Sequence, residues 1–406
     1  MTIVDSGYES IKSLLAGRRL PCAIVDTDAF WENAKRLAQP IKQSGKSLRV
    51  ATKSLRVPFL IEELKRRFDD LVIGYMAYTV EESGFLADRG LDDFLVAYPT
   101  VQPSDMEMLA ELTARDVTVR LMADDLEHLE AMGAAGCQHG VELLAVLDLD
   151  ASLRLAGGRV HLGVRRSPLR SVDAILKLAR QAQSIEGVRV DGLMAYEAQI
   201  AGLGDASEYK SYLNPVKRVI KIMSKPDVLK RRAQAIQSLR DADVKLSVVN
   251  GGGTGSVQYT SGDPSVTEVS VGSGFYCPHL FSEFLDLDLI PSAFYALQVV
   301  RTSDPGLVTC QGGGYIASGQ AGEDRLPKPF LPKGLKLLGI EGAGEVQTPL
   351  VLPKNGLIEL RPGDPVLMRH AKAGELMEHF NEVHLVTGGR IVDTVPTYRG
   401  CKMSFL

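Results

Sequence analysis

Short apolar runs alternate along the first two thirds of the chain with segments in which apolar residues recur at helical spacing. This alternation is typical of βα units with parallel strands. Eight such runs predict a closed TIM-type (β/α)8 barrel, because eight is the number of strands in that fold. The runs are Leu48 to Thr52, Leu71 to Tyr75, Phe94 to Tyr98, Val117 to Met122, Leu143 to Leu149, Gly192 to Tyr196, Leu246 to Asn250 and Val266 to Val271.

The segments between these runs predict helices, with Val80 to Arg89 and Pro103 to Arg115 as examples. The segment from Asp205 to Arg240 is helical in character but longer than a usual βα connection, so we expect it to elaborate the barrel rim. A ninth strand, Cys22 to Thr27, precedes the barrel, and Thr27 or Asp28 is the expected N-cap of the helix after it.

Beyond about Phe284 the helical period is lost, and Pro and Gly separate short strand-like runs. This change predicts a C-terminal β domain, in agreement with the two domains expected of 406 residues. The runs are Leu297 to Arg301, Leu335 to Ile340, Gly356 to Leu360 and His384 to Val386.

Composition narrows the class of partner. The formal net charge is only -4 and no long basic run occurs, so nothing indicates a nucleic acid or an anionic membrane surface. Five scattered cysteines form no disulfide framework, and the first residues contain no apolar stretch for a signal peptide or a membrane span. We expect a soluble cytoplasmic protein with a small-molecule substrate.

Lys53 follows the first barrel strand and is the leading candidate for chemistry. A lysine amine becomes nucleophilic when it is desolvated or lies near other cations. Two glycine-rich strand ends, at 250–256 and 271–275, fall on the last two barrel strands, where such barrels usually bind phosphate. Glycines let backbone N–H groups approach a phosphate, and Thr254 and Ser256 add hydroxyls. A solvated lysine and two tight turns are the alternatives.

An amine that faces two glycine-rich strand ends, whose backbone can bind a phosphate, is what pyridoxal 5'-phosphate (PLP) requires. Ser273 and Tyr276 are further candidate donors, and Tyr196 ends the sixth strand, where its ring or hydroxyl would meet the cofactor. The candidate arginines are Arg154, Arg165 and Arg166. Near the C-terminus His370 stands two residues before Lys372, and this is no metal-ligand pair because protonated lysine has no lone pair.

With Lys53, Arg166, Tyr196, the Gly252-Gly253-Thr254 loop and His370 in this order, the chain resembles the fold type III PLP enzymes of the alanine racemase superfamily. Within them it is most similar to the D-threonine aldolase and D-serine dehydratase branch, which includes amino acid deaminase/aldolase. The resemblance covers nearly the whole chain. It implies a barrel of residues 28–286 and a β domain of residues 1–27 and 287–406 that takes up the N-terminal strand, in a homodimer.

The resemblance also implies roles. Lys53 matches the Schiff-base lysine, Arg166 the arginine beside the cofactor ring and Tyr196 the active-site tyrosine, although an insertion-like stretch, Ala151 to Arg159, precedes Arg166. The phosphate-binding strand ends match Gly252, Gly253, Thr254, Gly272 and Ser273. In this branch a histidine and, two residues later, an aspartate or cysteine bind a divalent metal; here the second position is Lys372, so only His370 remains for a metal.

The expected function is that of a PLP-dependent lyase on a β-hydroxy D-amino acid, cleaving by retro-aldol reaction or by dehydration. Lys53 would be the base at Cα, His370 the acid or base at the β-oxygen, and Lys372 its electrostatic support. Three alternatives stay open: a racemase with Tyr295 or Tyr315 of the partner subunit as second base, a non-catalytic PLP carrier, and a phosphosugar-binding barrel.

Overall fold

The computed structural model describes residues 2–354 and 358–405. The chain begins with helix α1 (Tyr8–Leu14), strand β1 (Cys22–Asp26) and helix α2 (Thr27–Gln43). No helix within these described ranges is both long enough and apolar enough to cross a membrane.

The N-cap of α2 is Asp26, whose carboxylate accepts a 3.1 Å hydrogen bond from an amide in the first helical turn. The prediction of Thr27 or Asp28 was therefore wrong. Both residues instead bind a hairpin of the β domain: the Thr27 hydroxyl donates to the Val386 carbonyl at 3.0 Å, and the Asp28 carboxylate accepts from the Gly388 amide at 2.8 Å.

Ten strands follow between residues 47 and 271. Eight of them, β2 to β6 and β9 to β11, close a parallel barrel in the order β10-β11-β2-β3-β4-β5-β6-β9, so all eight predicted strands are confirmed. The remaining two form a hairpin that corresponds to the insertion-like stretch. The bounds are β2 (Ser47–Ala51), β3 (Val72–Ala77), β4 (Phe94–Val96), β5 (Val119–Ala123), β6 (Leu143–Asp148), β7 (Leu153–Leu155), β8 (Val160–Leu162), β9 (Val188–Met194), β10 (Val248–Gly251) and β11 (Glu268–Val271).

Helices cover the barrel, as the helical spacing of apolar residues predicts. The predicted helices at Val80 and Pro103 are confirmed, and the predicted rim elaboration contains a 28-residue helix, α9, that packs against α7 and α8. The helices are α3 (Pro58–Arg67), α4 (Val80–Ala87), α5 (Pro103–Ala114), α6 (Leu126–His139), α7 (Val172–Ala182), α8 (Ala198–Ala201), α9 (Asn214–Asp241) and α10 (Val257–Ser261).

Short 3-10 helices complete the helical content. They matter for the site because two of them carry candidate residues at the ends of strands. They span Ile3–Asp5, Thr52–Ser54, Ala156–Gly158, Ser211–Leu213, Thr254–Ser256, His279–Glu283, Glu323–Arg325 and Ala373–His379.

The C-terminal part forms a nine-stranded mixed sheet that also contains β1. β1 pairs antiparallel with β12 and parallel with β18, which confirms that the N-terminal strand joins the β domain. The strands are β12 (Ala293–Asp304), β13 (Leu307–Gln311), β14 (Lys328–Leu331), β15 (Lys336–Leu337), β16 (Gln347–Val351), β17 (Pro365–Arg369), β18 (Glu382–Thr387) and β19 (Arg390–Pro396).

Two predicted strand runs, at Leu297 and His384, lie inside β12 and β18. The run from Leu335 to Ile340 contains only the two-residue β15. In the run from Gly356 to Leu360, residues 356 and 357 lie outside the described residues, and 358–360 are not in a strand. The domain limits at residues 28 and 286 stay a prediction.

Two layers of side chains fill the barrel interior below the site: a charged layer and, between it and the cavity, an apolar layer. Arg49 is fully buried and donates to the carboxylates of Glu268 at 2.5 Å and Asp93 at 2.7 Å. Above it the side chains of five strands form an apolar layer of Met76, Leu95, Met122, Val146 and Met194. Because Met76 and Met194 also line the cavity described below, this layer is the cavity floor.

Candidate active site

A cavity of about 840 Å³ opens at the carboxyl ends of the barrel strands, the end at which TIM barrels carry their active sites. Its wall combines strand ends of the barrel with the segment 201–217 that leads into α9. Segment 280–284 and two parts of the β domain, 320–325 and 372–373, complete the wall. The site is therefore assembled from both parts of the chain.

Lys53 lies in the 3-10 turn Thr52–Ser54 directly after β2, and its side chain opens on the cavity. Over the chain that the structure describes, its amine has no hydrogen-bond or ion-pair partner. The surrounding protein desolvates the amine and lowers the pKa of Lys53, and the nearby cations Arg166, Lys372 and Arg56 lower it further. A lowered pKa increases the neutral, nucleophilic fraction of the amine.

Among the three candidate arginines, Arg166 lines the cavity, whereas Arg154 and Arg165 do not. Its guanidinium donates to the carboxylate of Asp148 at 2.7 Å and to the carbonyl of Ala97 at 2.9 Å. Burial, opposed by Arg166, raises the pKa of Asp148 to about 6. Arg154 is instead held by a neighbouring carboxylate at 3.1 Å, so the structure favours Arg166 as the arginine that contacts a ligand.

Tyr196 follows the end of β9 and lines the cavity, as expected from the sequence. Burial raises its pKa to about 12, with a further contribution from the carboxylate of Glu197. The hydroxyl therefore stays protonated near neutral pH. A Cβ at Gly253 would lie 3.3 Å from the Tyr196 ring, so glycine keeps the loop against the tyrosine.

The two glycine loops follow the neighbouring strands β10 and β11, and β11 pairs with β2, the strand that Lys53 follows. Gly252 has φ of +91°, and a Cβ there would lie 2.7 Å from Val269. A Cβ at Gly272 would lie 2.6 Å from the hydroxyl of Ser54. A side chain at either position would collide with its neighbour, so glycine is needed for the two loops to pack closely against Val269 and Ser54.

The N–H groups of this loop do not all face the cavity. The Gly252 amide donates to Glu197 at 3.3 Å, and the Gly253 amide donates to the Ser256 hydroxyl at 3.2 Å. These two amides are thus bonded within the protein, and the contact of consecutive glycine N–H groups with a phosphate stays a prediction. Thr254 and Gly255 open a 3-10 turn instead, and the first N–H groups of a helix have no intrahelical acceptor.

Hydroxyls supplement these donors. Thr254 and Ser273 line the cavity beside Ser54, whose hydroxyl lies 3.4 Å from that of Ser273. The Thr254 hydroxyl accepts a 2.9 Å hydrogen bond from the Gly274 amide, which ties the two loops together. The proton of the Thr254 hydroxyl thus remains for a ligand.

The structure does not bring Tyr276 to the cavity wall. The ring is fully buried, and its hydroxyl donates to the Leu55 carbonyl at 2.9 Å, next to the turn that carries Lys53. Contact between Tyr276 and a cofactor stays a prediction, and the observed contact is with the support of Lys53.

Lys372 lies on the cavity wall in the segment between β17 and the last 3-10 helix. Its amine donates to the Ser318 hydroxyl at 2.8 Å and lies 3.8 Å from the carboxylate of Glu375. Ser318 in turn donates to that same carboxylate. The chain therefore holds an ammonium group at a fixed point of the wall, although 40% of its side chain is exposed.

His370 lies behind this wall, not on it. Its ring is 3% exposed, stands edge-on to Tyr276 at 6.4 Å, and neither ring nitrogen has a hydrogen-bond partner within the described chain. Burial lowers its pKa to about 4, with a contribution from Arg369, so the imidazole is neutral near pH 7. Its contact with a substrate stays a prediction.

Sequence reasoning missed several wall residues. Asn250 and Ser270 point into the barrel from β10 and β11, and the Asn250 amide donates to both Glu268 and Ser270. Their position two residues before Gly252 and Gly272 was a usable signal, because alternate strand residues share a face. No local pattern marks Ser318, which reaches Lys372 from a distant loop.

Comparisons with known proteins agree with this geometry. No family model matches the chain. It is 25% identical over 256 residues to a 3-hydroxy-D-aspartate aldolase of Paracoccus denitrificans (strain Pd 1222), which covers 62% of this chain and 59% of that protein. It is 23% identical over 253 residues to a D-threonine aldolase of Arthrobacter sp, with 62% and 60% covered. The chain thus matches about three fifths of the length of these relatives.

Solved structures match over almost the whole chain. D-threonine aldolase from Filomicrobium marinum superposes with a TM-score of 0.78 at 20% identity, covering 95% of this chain and 97% of that one. An alanine racemase-like protein from Idiomarina loihiensis gives 0.74 at 14%, covering 97% and 99%. The chain has the alanine racemase-like fold. D-threo-3-hydroxyaspartate dehydratase from Delftia sp. HT23 also gives 0.74, at 18% identity, covering 95% and 98%. The resemblance to the lyases of this fold is confirmed.

The residues of the cavity fit the PLP that an alanine racemase-like fold implies. Lys53 offers an amine with a lowered pKa, and Gly252 and Gly272 line the same cavity with backbone alone. Thr254 and Ser273 would hold the phosphate, and Arg166 lies at the same wall. An aldehyde with a phosphate group finds both its reactive partner and its anchor here.

The residues do not fit the divalent metal. The structure, over the ranges it describes, brings together no three His, Cys, Asp or Glu side chains that could hold an ion. Lys372 occupies the position two residues after His370, and its ammonium donates hydrogen bonds but has no lone pair. His370 would be a lone ligand behind the wall.

Proposed function

We propose that this protein is a PLP-dependent lyase that acts on a β-hydroxy D-amino acid of the D-threonine or D-serine kind. The observation that carries the proposal is the unpartnered Lys53 amine, with its lowered pKa, on the wall of a cavity that also contains two glycine loops. The similarity to D-threonine aldolase and to 3-hydroxy-D-aspartate aldolase supports the reaction class.

PLP, when bound, would draw electrons from the Cα of the amino acid attached to it. Lys53 would hold the aldehyde carbon in the resting enzyme and, once displaced by substrate, would accept or return a proton at Cα. Arg166 and Tyr196 would keep the ring in place from the same wall. A protonated Tyr196 hydroxyl adds no negative charge near the ring.

Lys372 is the group that we assign to the β-oxygen of the substrate. Its ammonium lies on the wall, held by Ser318, and would stabilise negative charge on that oxygen. The same contact serves retro-aldol cleavage and loss of the hydroxyl, and both an aldolase and a dehydratase share this fold. Neutral His370 would accept a proton from the oxygen in the first reaction.

We also propose a cytoplasmic homodimer. Five free cysteines, three of them buried, suit a reducing compartment.

The racemase alternative requires a second base from the partner's β domain. Tyr295 is fully buried, and its hydroxyl donates to the Gly313 carbonyl at 3.1 Å. That leaves half-buried Tyr315, which stacks on His379 at 4.2 Å.

The test is the absorption spectrum of purified protein with PLP, before and after borohydride, for the wild type, Lys53→Ala and Lys217→Ala. Lys217 also lines the cavity but lies in α9, so its replacement is the control for losing any lysine from the cavity wall. We expect a near-visible band that borohydride abolishes in the wild type and in Lys217→Ala, and no such band in Lys53→Ala.

Products decide the reaction. D-threonine would yield glycine and acetaldehyde if the bond between Cα and Cβ breaks, whereas D-serine would yield pyruvate and ammonia if the hydroxyl leaves. If D-alanine is converted to L-alanine and neither pair of lyase products is formed, the protein is a racemase and not a lyase. A protein that stays colourless after addition of PLP would overturn the proposal entirely.

A further inference from the structure

Three charged residues that the sequence did not single out lie buried beneath the glycine loop of residues 252–256. Glu197 and Arg232 have no exposed surface, and Asp263 is 1% exposed. Arg232 donates to Glu197 at 2.9 Å and to Asp263 at 2.5 Å, forming a closed ionic group. Such groups are costly to desolvate, so a well-packed apolar set would be at least as stable.

The carboxylate of Glu197 accepts four hydrogen bonds. One comes from the Arg232 guanidinium and one, at 3.3 Å, from the Gly252 amide. The others come from the hydroxyls of Ser256, at 2.8 Å, and of Thr260. Three of the four donors belong to the stretch from Gly252 to Thr260, so a single side chain fixes the loop at its beginning, its middle and its end.

Arg232 links Glu197 to the barrel and to the rim helix α9. It extends from α9, donates to the Ala195 carbonyl at 2.6 Å, and passes directly behind Gly251, where a Cβ would lie 2.8 Å from the guanidinium. Position 251 must therefore be glycine, because a side chain there would collide with the Arg232 guanidinium. The long rim helix thus has a function beyond covering the barrel.

The charges of this group do not attract a phosphate. Two carboxylates and one guanidinium leave a net charge of -1 under the loop, which by Coulomb's law opposes an anion. Any benefit must come from geometry. With the amides of Gly252 and Gly253 bonded inward, the Thr254 hydroxyl is the donor that the loop offers on the cavity wall.

We propose that Glu197 is a positioning residue for the phosphate group, held by Arg232, that fixes residues 252–260 in the conformation that binds it. The proposal rests on the proposed function, since PLP is the phosphate ligand. It makes the loop specific for the phosphate end of the cofactor, and it predicts no effect of Glu197 on a ligand that lacks phosphate.

The experiment compares the binding of PLP and of pyridoxal, which lacks the phosphate, to apoprotein by spectroscopic titration. In Glu197→Ala we expect the preference for PLP over pyridoxal to fall about tenfold or more, the effect of losing hydrogen bonds to a charged group. Glu197→Gln keeps the shape; its amide oxygen can accept from Arg232 and Gly252, and its NH2 group can donate to the hydroxyls of Ser256 and Thr260, so its preference should stay close to that of the wild type.

Asp191→Ala is the matched control. Asp191 is fully buried, accepts from Arg120, Arg189 and Ser247, and lies in β9 on the same stretch of chain, but away from the loop. We expect loss of stability without a change in the preference. If Glu197→Ala does not fold, Ser256→Ala, which removes one of the four donors, should lower the preference by a smaller factor.

An unchanged preference in folded Glu197→Ala would overturn the proposal. So would a glutamine variant as poor as the alanine variant, because that result would assign the effect to charge. Failure of the wild type to bind PLP at all would instead overturn the proposed function, and the two failures are thereby distinguished.

Discussion

At the scale of single residues, Lys53 is the point where burial and charge act in the same direction. Desolvation disfavours its ammonium form, and three cations add to that effect. Glu82 opposes them only weakly, because it is the last of the causes and itself has a pKa raised by burial. The lysine therefore reaches the cavity with an amine whose pKa is lowered and which no other described residue binds.

The first residue-scale prediction concerns the pH at which Lys53 reacts. Replacing Lys372 with Met removes one of the cations that lower its pKa, so the pH midpoint for labelling the Lys53 amine in apoprotein should move upward. The measurement is the rate of acetylation of the Lys53 peptide across pH, followed by mass spectrometry.

Lys217→Met controls for this experiment, because Lys217 also lines the cavity but does not contribute to the shift. Its midpoint should equal that of the wild type. Equal upward shifts in both variants would show that cavity hydration, and not the Lys372 charge, sets the reactivity of Lys53.

At the scale of elements, the segment after β17 places the Lys372 ammonium on the cavity wall. Lys372 ends an extended stretch, and the 3-10 helix that follows packs against the turn of Lys53, where a Cβ at Gly374 would lie 2.6 Å from the Lys53 carbonyl. The Lys372 ammonium is thus held at a fixed place relative to the Lys53 amine.

The prediction for this segment is selectivity for the β-hydroxyl. Lys372→Met should lower kcat/KM for D-threonine about 100-fold, the usual effect of removing one group that stabilises a developing oxyanion. Binding of D-alanine, which has no β-hydroxyl, should be unchanged when followed by the shift of the cofactor band. Ser318→Ala should show the same selectivity with a smaller loss, because Ser318 only orients the ammonium.

Lys210→Met, another lysine of the cavity wall, should leave both properties as they are. Equal losses for D-threonine and D-alanine in Lys372→Met would contradict the assignment to the β-oxygen. They would indicate that Lys372 acts on a group common to all amino acids.

At this scale the sequence predicts the features that depend on a local pattern of residues, and it does not predict those that depend on contacts between distant segments. Barrel strands and the position of Lys53 were predictable because apolar periodicity and strand ends are local patterns. Arg232 was not, since it ends the basic run Lys230-Arg231-Arg232, and only the docking of α9 decides which of the three is buried. The partners of Glu197 come from Gly252 and beyond, so its role is visible only once β9 and β10 are paired.

At the scale of the whole molecule, the β domain supports the barrel turn that carries Lys53. The hydroxyl of Tyr398 donates to buried Glu82 at 2.8 Å, and the Tyr398 amide donates to the Arg56 carbonyl at 2.9 Å. Arg56 also pairs with Glu378 at 2.9 Å. Residues 52–56 are therefore held by both parts of the chain, and the two parts should unfold together.

This support predicts a pH-dependent loss of stability in Tyr398→Phe. Burial raises the pKa of Glu82 and the Tyr398 hydrogen bond counteracts it, so the variant should raise that pKa further. A carboxyl group with a raised folded pKa binds more protons in the native state, so stability falls as pH rises through the folded value. The loss should be about 1–2 kcal/mol near neutral pH and smaller at about pH 3, which lies below the ordinary pKa of glutamate, so that the carboxyl is largely protonated in the unfolded state as well.

Urea unfolding of Tyr398→Phe and Tyr8→Phe at both pH values provides the measurement. Tyr8 donates to the Pro365 carbonyl at 2.9 Å, so its loss removes a hydrogen bond of similar length that involves no carboxylate. Its cost should therefore be nearly the same at both pH values. A pH-independent cost in Tyr398→Phe would mean that Glu82 is neutral throughout, and the coupling between the β domain and the Lys53 turn would then rest on packing and the Arg56 contacts alone.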